Sequence, residues 1–266
     1  MDLWQRLNRG FRITLVILAS LVVWEIACRV FGIREFLLPA PSRILGVVAN
    51  NPVWLLTNAW HTLYSTLIGF VLAVIFGVTM AVLIISSRFL EETLYVLLVT
   101  MNSVPKVALA PLFVVWMGTG MLPKISIAAT IAVFVIVIDL VLGLRSIDPD
   151  MIDLARSFKG SKWKTLVKIR FPSALPNLFA GMKVGITLAL IGTIVGEFVA
   201  SDRGLGHGIV VSQGSFEIPA MFAAIIVLGI MGTVLFFVVD FAERIALPWH
   251  VSRRGEGATA RAQVRY

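Results

Sequence analysis

Five ionisable side chains interrupt otherwise apolar stretches of this sequence: Glu25, Lys106, Asp139, Lys183 and Glu197. A charge at the middle of a bilayer costs roughly 2.5–3.5 kcal/mol on insertion scales, so each needs a partner, water or an interface. Lys106 lies between Pro105 and Pro111, where the main chain must kink. An ammonium there would meet an anion passing the bend, and a structural salt bridge accounts for it equally well. Trp116, just past the kink, and Thr193 with Glu197, late in another apolar stretch, complete the residues that could line a path. Glu197 suits a gate or a docking contact, Lys183 can snorkel towards water, and Asp139 can pair with Arg145 or cap main chain. Glu25 reads as a charge at the end of its stretch. None of this is catalytic chemistry, and no catalytic residue is assigned. His61, His207 and His250 fall in separate polar segments without metal-ligand spacing, and Cys28 is the single cysteine, so no metal site or intrachain disulfide is indicated. No Gly-x-x-x-x-Gly-Lys-Ser/Thr occurs, hence no loop to cradle a triphosphate; any ATP hydrolysis must belong to another chain. Gly204-Leu-Gly206-His-Gly208 follows an apolar run rather than a strand and reads as a flexible loop.

The elements that must position these residues are membrane helices. The 266 residues are 58% hydrophobic and 14% charged, with mean hydropathy +0.93; soluble domains carry about 25% charge. The apolar runs are continuous rather than alternating, which selects helices over a barrel. The expectation is an all-α polytopic membrane protein with six transmembrane helices, near residues 13–31, 62–85, 93–117, 125–144, 174–200 and 218–239. The third is broken by Asn102, Ser103, Pro105, Lys106 and Pro111. The division reads 1–31 for an inner segment and first helix, 32–61 for an outer loop with a short helix after Ser42, 62–249 for a five-helix core, and 250–266 for a tail. That tail is rich in Arg, Gly and Ala and reads as disordered. The basic start resembles a signal peptide, yet its apolar run is near spanning length and holds Glu25, so an uncleaved helix is expected. Six spans put both termini on one side. Sixteen of the 23 Lys and Arg fall on that side, five on the other and two within spans, which places both termini in the cytoplasm. The net charge of +8 is thereby a matter of topology, and no nucleic-acid partner is implied.

Between the fourth and fifth spans lies a polar island, residues 145–172, with seven basic side chains against Asp148, Asp150 and Asp153. A short helix is signalled inside it. Asp148 can cap free N–H groups, Pro149 suits the first helical position, and Asp150 and Asp153 favour the positive end of the dipole. Met151, Leu154, Ala155 and Phe158 then recur at three- and four-residue spacing, making one apolar stripe. Such a stripe can lie on lipid, pack on its own chain, or fit a groove in a soluble partner. A second pattern runs along the fifth span: Gly181, Gly185, Ala189, Gly192 and Gly196 let helix backbones approach closely, within one subunit or across a two-fold axis.

The island resembles the cytoplasmic motif of permease subunits of bacterial ATP-binding-cassette importers: Glu-Ala-Ala, three residues, Gly, nine residues, Ile, one residue, Leu-Pro. Asp153-Leu154-Ala155 stands for Glu-Ala-Ala, Ile169 for the isoleucine and Phe171-Pro172 for Leu-Pro. Lys159 occupies the glycine position, with Gly160 one step later. Leu38-Pro-Ala-Pro-Ser42, the stretch from Val104 to Leu112, Trp116-Met-Gly-Thr-Gly120, Gly196-Glu197 and Arg203-Gly-Leu-Gly206 extend the resemblance from about residue 36 to 249.

The resemblance implies a type I importer permease-like bundle in the bacterial inner membrane. Its short inner helix would be a coupling helix docked in a cleft of the ATPase subunit. Asp153, Leu154, Ala155, Phe158, Lys159, Gly160, Ile169 and Pro172 would carry that contact, Ala155 being small where the partner comes close. It further implies a second copy of the chain, two ATPase subunits that hold the ATP and Mg, and a periplasmic or lipoprotein substrate-binding protein. No cofactor is expected on this chain. The likeness is to the subgroup importing sulfonates, taurine, nitrate or bicarbonate, with thiamine-precursor pyrimidines as the second substrate expectation. An ion-gradient-driven carrier or channel would account for the spans but leaves the island's motif unexplained.

Overall fold

The computed structural model describes residues 9–158 and 161–248, and every regular element among them is helical. In chain order they are α1 (Arg9–Val30), α2 (Pro41–Asn50), α3 (Pro52–Ser86), α4 (Arg88–Asn102), a 3-10 turn (Lys106–Leu109), α5 (Ala110–Met117), α6 (Met121–Arg145), α7 (Pro149–Ser157), α8 (Lys162–Thr165), a π-turn (Leu166–Arg170), α9 (Phe171–Ala200), α10 (Leu205–Gly214) and α11 (Ile218–Ala246). The expected tail lies outside the described residues.

Four helical runs among the described residues are long and apolar enough to cross a bilayer: Pro52–Ser86, Met121–Arg145, Trp163–Ala200 and Ile218–Ala246. The expected first span falls on α1, whose 22 residues reach about 33 Å at 1.5 Å per residue. The expected third span is not one helix. It is α4, the 3-10 turn and α5 in succession, because Pro105 and Pro111 each remove a main-chain donor. Three boundaries move. Residues 52–61, expected as loop, are the start of α3, since Pro52 is accommodated in a helix's first turn. The last helix continues past Val239 to Ala246, and residues 205–214, expected as flexible loop, form α10.

Two compact units divide the described chain: residues 9–61 with 202–230, and 62–201 with 231–248. In the first, the Glu25 carboxylate of α1 accepts bonds from Ser42 N at 3.0 Å and Ser42 Oγ at 2.8 Å. Those bonds satisfy donors in the first turn of α2, whose own preceding residue, Ala40, supplies no side-chain cap. Arg29 pairs with the same carboxylate at 2.6 Å. Asn58 Oδ1 accepts from Gly204 N at 2.9 Å, and a Cβ on Gly208 would come 2.9 Å from the Trp54 ring. Gly208 therefore serves close packing, while Gly204, at φ 117°, serves the turn into α10.

In the second unit α9 packs along α6. Its small-residue stripe is buried throughout, and a Cβ at Gly181, Gly185, Gly192 or Gly196 would come within 2.7–3.1 Å of an atom of α6. This geometry is packing within the subunit. The core of the unit is the resulting seam, filled by Ile127, Ala128, Ile136, Leu140, Ile186 and Ala189.

Candidate functional site

The island folds as its signals direct. The Asp148 Oδ1 accepts from Asp150 N at 3.0 Å and the Asp148 carbonyl from Met151 N at 3.1 Å, opening α7 at Pro149. Met151, Leu154 and Phe158 are 48%, 58% and 80% exposed, so the apolar stripe packs only in part against its own chain. Asp153 is also exposed and Ala155 half-buried. Lys159 and Gly160 lie outside the described residues. After them Ser161 accepts from Lys164 N through its Oγ, at 3.3 Å, and α8, the π-turn and α9 follow without a gap. Ile169 falls in that π-turn and Pro172 in the first turn of α9. The motif thus divides in two: Asp153, Leu154 and Ala155 belong to α7, with Phe158 in the turn just after it, while Ile169 and Pro172 belong to the stem that joins it to a membrane span.

Arg145, the last residue of α6, pairs with Glu91 of α4 at 2.8 Å. Asp139 sits beside Gly181, where an added Cβ would come 3.0 Å from the Asp139 Cβ.

At the break in the third segment, Pro105 precedes the 3-10 turn and Pro111 lies in the first turn of α5. The Lys106 ammonium lies 4.5 Å from the centroid of the Phe134 ring, a cation–π distance. Phe113 and Trp116 meet edge to face at 5.9 Å, and Trp116 stays 66% exposed. Gly118 and Gly120 follow with φ of 75° and 123°, a backbone only glycine takes readily, and they turn the chain into α6.

Thr193 and Glu197, grouped with these residues from sequence, are drawn elsewhere. Both are fully buried against α3. Thr62 Oγ1 donates to the two Glu197 oxygens at 2.9 and 3.0 Å, and Thr66 Oγ1 donates to Thr193 Oγ1 at 3.0 Å.

One cluster escaped the sequence. Lys183 does not snorkel alone: its ammonium pairs with Asp240 at 2.7 Å and with Glu243 of α11, while Arg244 also reaches Asp240, at 2.9 Å. The signal was the three-residue spacing of the two carboxylates, which puts both on one face of a helix. It was missed because the last apolar run was ended at Val239.

A sequence profile of the family described as "Binding-protein-dependent transport system inner membrane component" matches residues 73–249. The chain belongs to this family. It is thus a permease subunit of an ATP-binding-cassette importer and a multi-pass inner-membrane protein. The permease is 34% identical to the riboflavin transport system permease protein RibX of Chloroflexus aurantiacus, over 91% of each chain. It is 30% identical to the formylaminopyrimidine transport permease protein ThiX of Halalkalibacterium halodurans, over 89% of this chain and 94% of that one. A putative aliphatic sulfonates transport permease of Bacillus subtilis is 26% identical over 93% and 89% of the two chains, so the expected sulfonate-type subgroup is among its relatives. In fold the permease is similar to the MetNI methionine ABC transporter in inward facing conformation, with TM-score 0.64, 22% identity, and coverage of 73% of this chain and 98% of that one.

Proposed function

We propose that the permease works as one of a pair of identical chains, with two ATPase subunits on the cytoplasmic side and a substrate-binding protein outside. In this reading ATP and Mg are held by the ATPase, and both termini and α7 are cytoplasmic, as the asymmetry of Lys and Arg supports. The observation that carries the proposal is the exposure of Met151 and Leu154 along a nine-residue helix and of Phe158 in the turn that follows it. An apolar stripe of that length matches the helix-in-groove mode of recognition. Asp153 and Ala155 would complete the docked face, and Lys159 and Gly160 are assigned to the same contact from the motif alone. Movement of α7 would reach the membrane through the stem, because helical structure runs from Lys162 to Ala200 without a gap. Closure of the ATPase pair would then bias the two arrangements of the spans.

The test is Asp153→Arg combined with Ala155→Trp. The permease is expected to insert at normal levels and to lose co-purification with its ATPase; retained binding at the wild-type level refutes the docking.

For the solute, a flat ring-bearing molecule is the reading best supported. The relatives at 34% and 30% identity are named for riboflavin and formylaminopyrimidine, and the broken third segment holds Lys106 over the Phe134 ring and, further along, Phe113 against Trp116. Aromatic side chains there can stack on a planar ring. In this proposal Pro105, Lys106, Pro111 and Trp116 line the path, and the buried Thr193 and Glu197 do not. A small anion such as a sulfonate is the second reading, supported by the cation at the kink. Calorimetric titration of the substrate-binding protein that serves this permease with riboflavin, a formylaminopyrimidine and ethanesulfonate separates the two.

A further inference from the structure

Lys124 and Glu197 are the two charged side chains among the described residues that are almost wholly buried, at 3% and 1% exposure. Each stands at the unfavourable end of its own helix. Lys124 is in the first turn of α6, where the dipole is positive, and Glu197 is in the last turn of α9, where it is negative. A buried charge opposed by its own helix needs compensation from outside that helix.

The two helix ends lie side by side. A Cβ on Gly196 would come 2.9 Å from the Lys124 Cα. Lys124 Nζ donates to Ser201 Oγ at 2.7 Å, and Ser201 closes α9 four residues beyond Glu197. Residues so spaced have Cβ atoms about 5–6 Å apart, so the ammonium has been brought within a side chain's reach of the Glu197 carboxylate. The ammonium then meets the negative end of α9, and the carboxylate meets the positive end of α6.

We infer that Lys124 and Glu197 form one buried, mutually neutralising pair that clamps the end of α9 to the start of α6. Thr62, donating to both Glu197 oxygens, extends the clamp to α3. Apart from Asp139 beside Gly181 and Asn177 beside Gly143, the α6–α9 seam is largely Gly, Ala and aliphatic carbon, which resists separation but distinguishes poorly between neighbouring registers. A buried ion pair admits one register, and that is its role here.

The experiment uses the full-length permease in detergent micelles, as wild type, Lys124→Met, Glu197→Gln and the double variant. Each single substitution leaves one buried charge without its partner and is expected to lower the unfolding midpoint by about 10 °C, with the double variant losing clearly less than the sum. Infrared difference spectra of Lys124→Met are expected to show a protonated-carboxyl band that is absent from wild type and from the double variant. Additive losses, or no new band in Lys124→Met, overturn the pair. Where a single variant fails to accumulate, the exchange Lys124→Glu with Glu197→Lys decides. It moves each charge to the end of the helix that favours it, so recovered membrane levels support the clamp and no recovery refutes it.

Discussion

Gly192 of α9 lies so close to α6 that a Cβ built on it would fall 2.7 Å from the Ala128 Cα. That atom is backbone and cannot rotate aside, so even one methyl forces the two spans apart. Overpacking of this kind costs about 1–3 kcal/mol. Gly192→Ala is therefore expected to lower the thermal midpoint of the purified permease, and Gly192→Leu to abolish accumulation in the membrane. Gly46 of α2 is the control, since nothing lies within 4 Å of its Cβ position. Gly46→Ala is expected to leave the midpoint unchanged or slightly raised.

Asp148 controls whether α7 is formed before a partner arrives. Its carboxylate holds Asp150 N at 3.0 Å, and a lost N-terminal cap costs about 1 kcal/mol. If the free helix is the docked face, Asp148→Ala makes binding provide that ordering. ATPase affinity is then expected to fall about fivefold, measured by titrating detergent-solubilised permease with labelled ATPase. Insertion should be unchanged, because Asp148 is exposed and outside the spans. An affinity equal to wild type would falsify the preformed-helix account.

These two sites differ in how far the sequence revealed them. Asp148-Pro149 and the stripe after it specified α7 almost to the residue, because capping and helical spacing are local effects. The small residues of α9 were equally visible, but their neighbour was not: nothing in Gly192 names Ala128. The same limit hid the clamp at Lys124, which reads as one more outer basic residue until α6 and α9 are set side by side. At residues 204–208 local chemistry misled. Three glycines suggested a mobile loop, whereas Gly208 is small because the Trp54 ring lies against it. The kink at Pro105 was legible, but Lys106 meeting an aromatic face was not, since Phe134 is 28 residues away on another helix.

Lys183 joins α9 to α11 by holding Asp240 and Glu243 together. Removing the ammonium leaves two carboxylates on one helix face with only Arg244 beside Asp240. Lys183→Met is expected to destabilise the permease by roughly 1.5–3 kcal/mol, the usual worth of hydrogen bonds to charged groups. Adding Glu243→Gln removes one of the stranded charges and should recover part of that loss. Thermal unfolding of the two variants in micelles checks both statements, and a double variant weaker than Lys183→Met alone would exclude the triad as a cohesive unit.

Lys106 and Phe134 offer the sharpest view of the path. The ammonium over the ring holds the 3-10 turn against α6, a contact worth about 0.5–2 kcal/mol depending on its desolvation. Lys106→Met keeps the length of the side chain and removes only the charge, while Phe134→Leu keeps apolar bulk and removes the π-face. Should the solute be an anion that meets the cation at the kink, Lys106→Met is expected to cut ATP-driven uptake at least tenfold and Phe134→Leu only a few-fold. A flat, uncharged ring reverses that order, because stacking depends on the aromatic face and not on the ammonium. Uptake into proteoliposomes holding the permease, its ATPase and its binding protein, with radiolabelled riboflavin and ethanesulfonate as the two probes, reads the order directly. Equal, small effects of both substitutions on both probes would remove this break from the path.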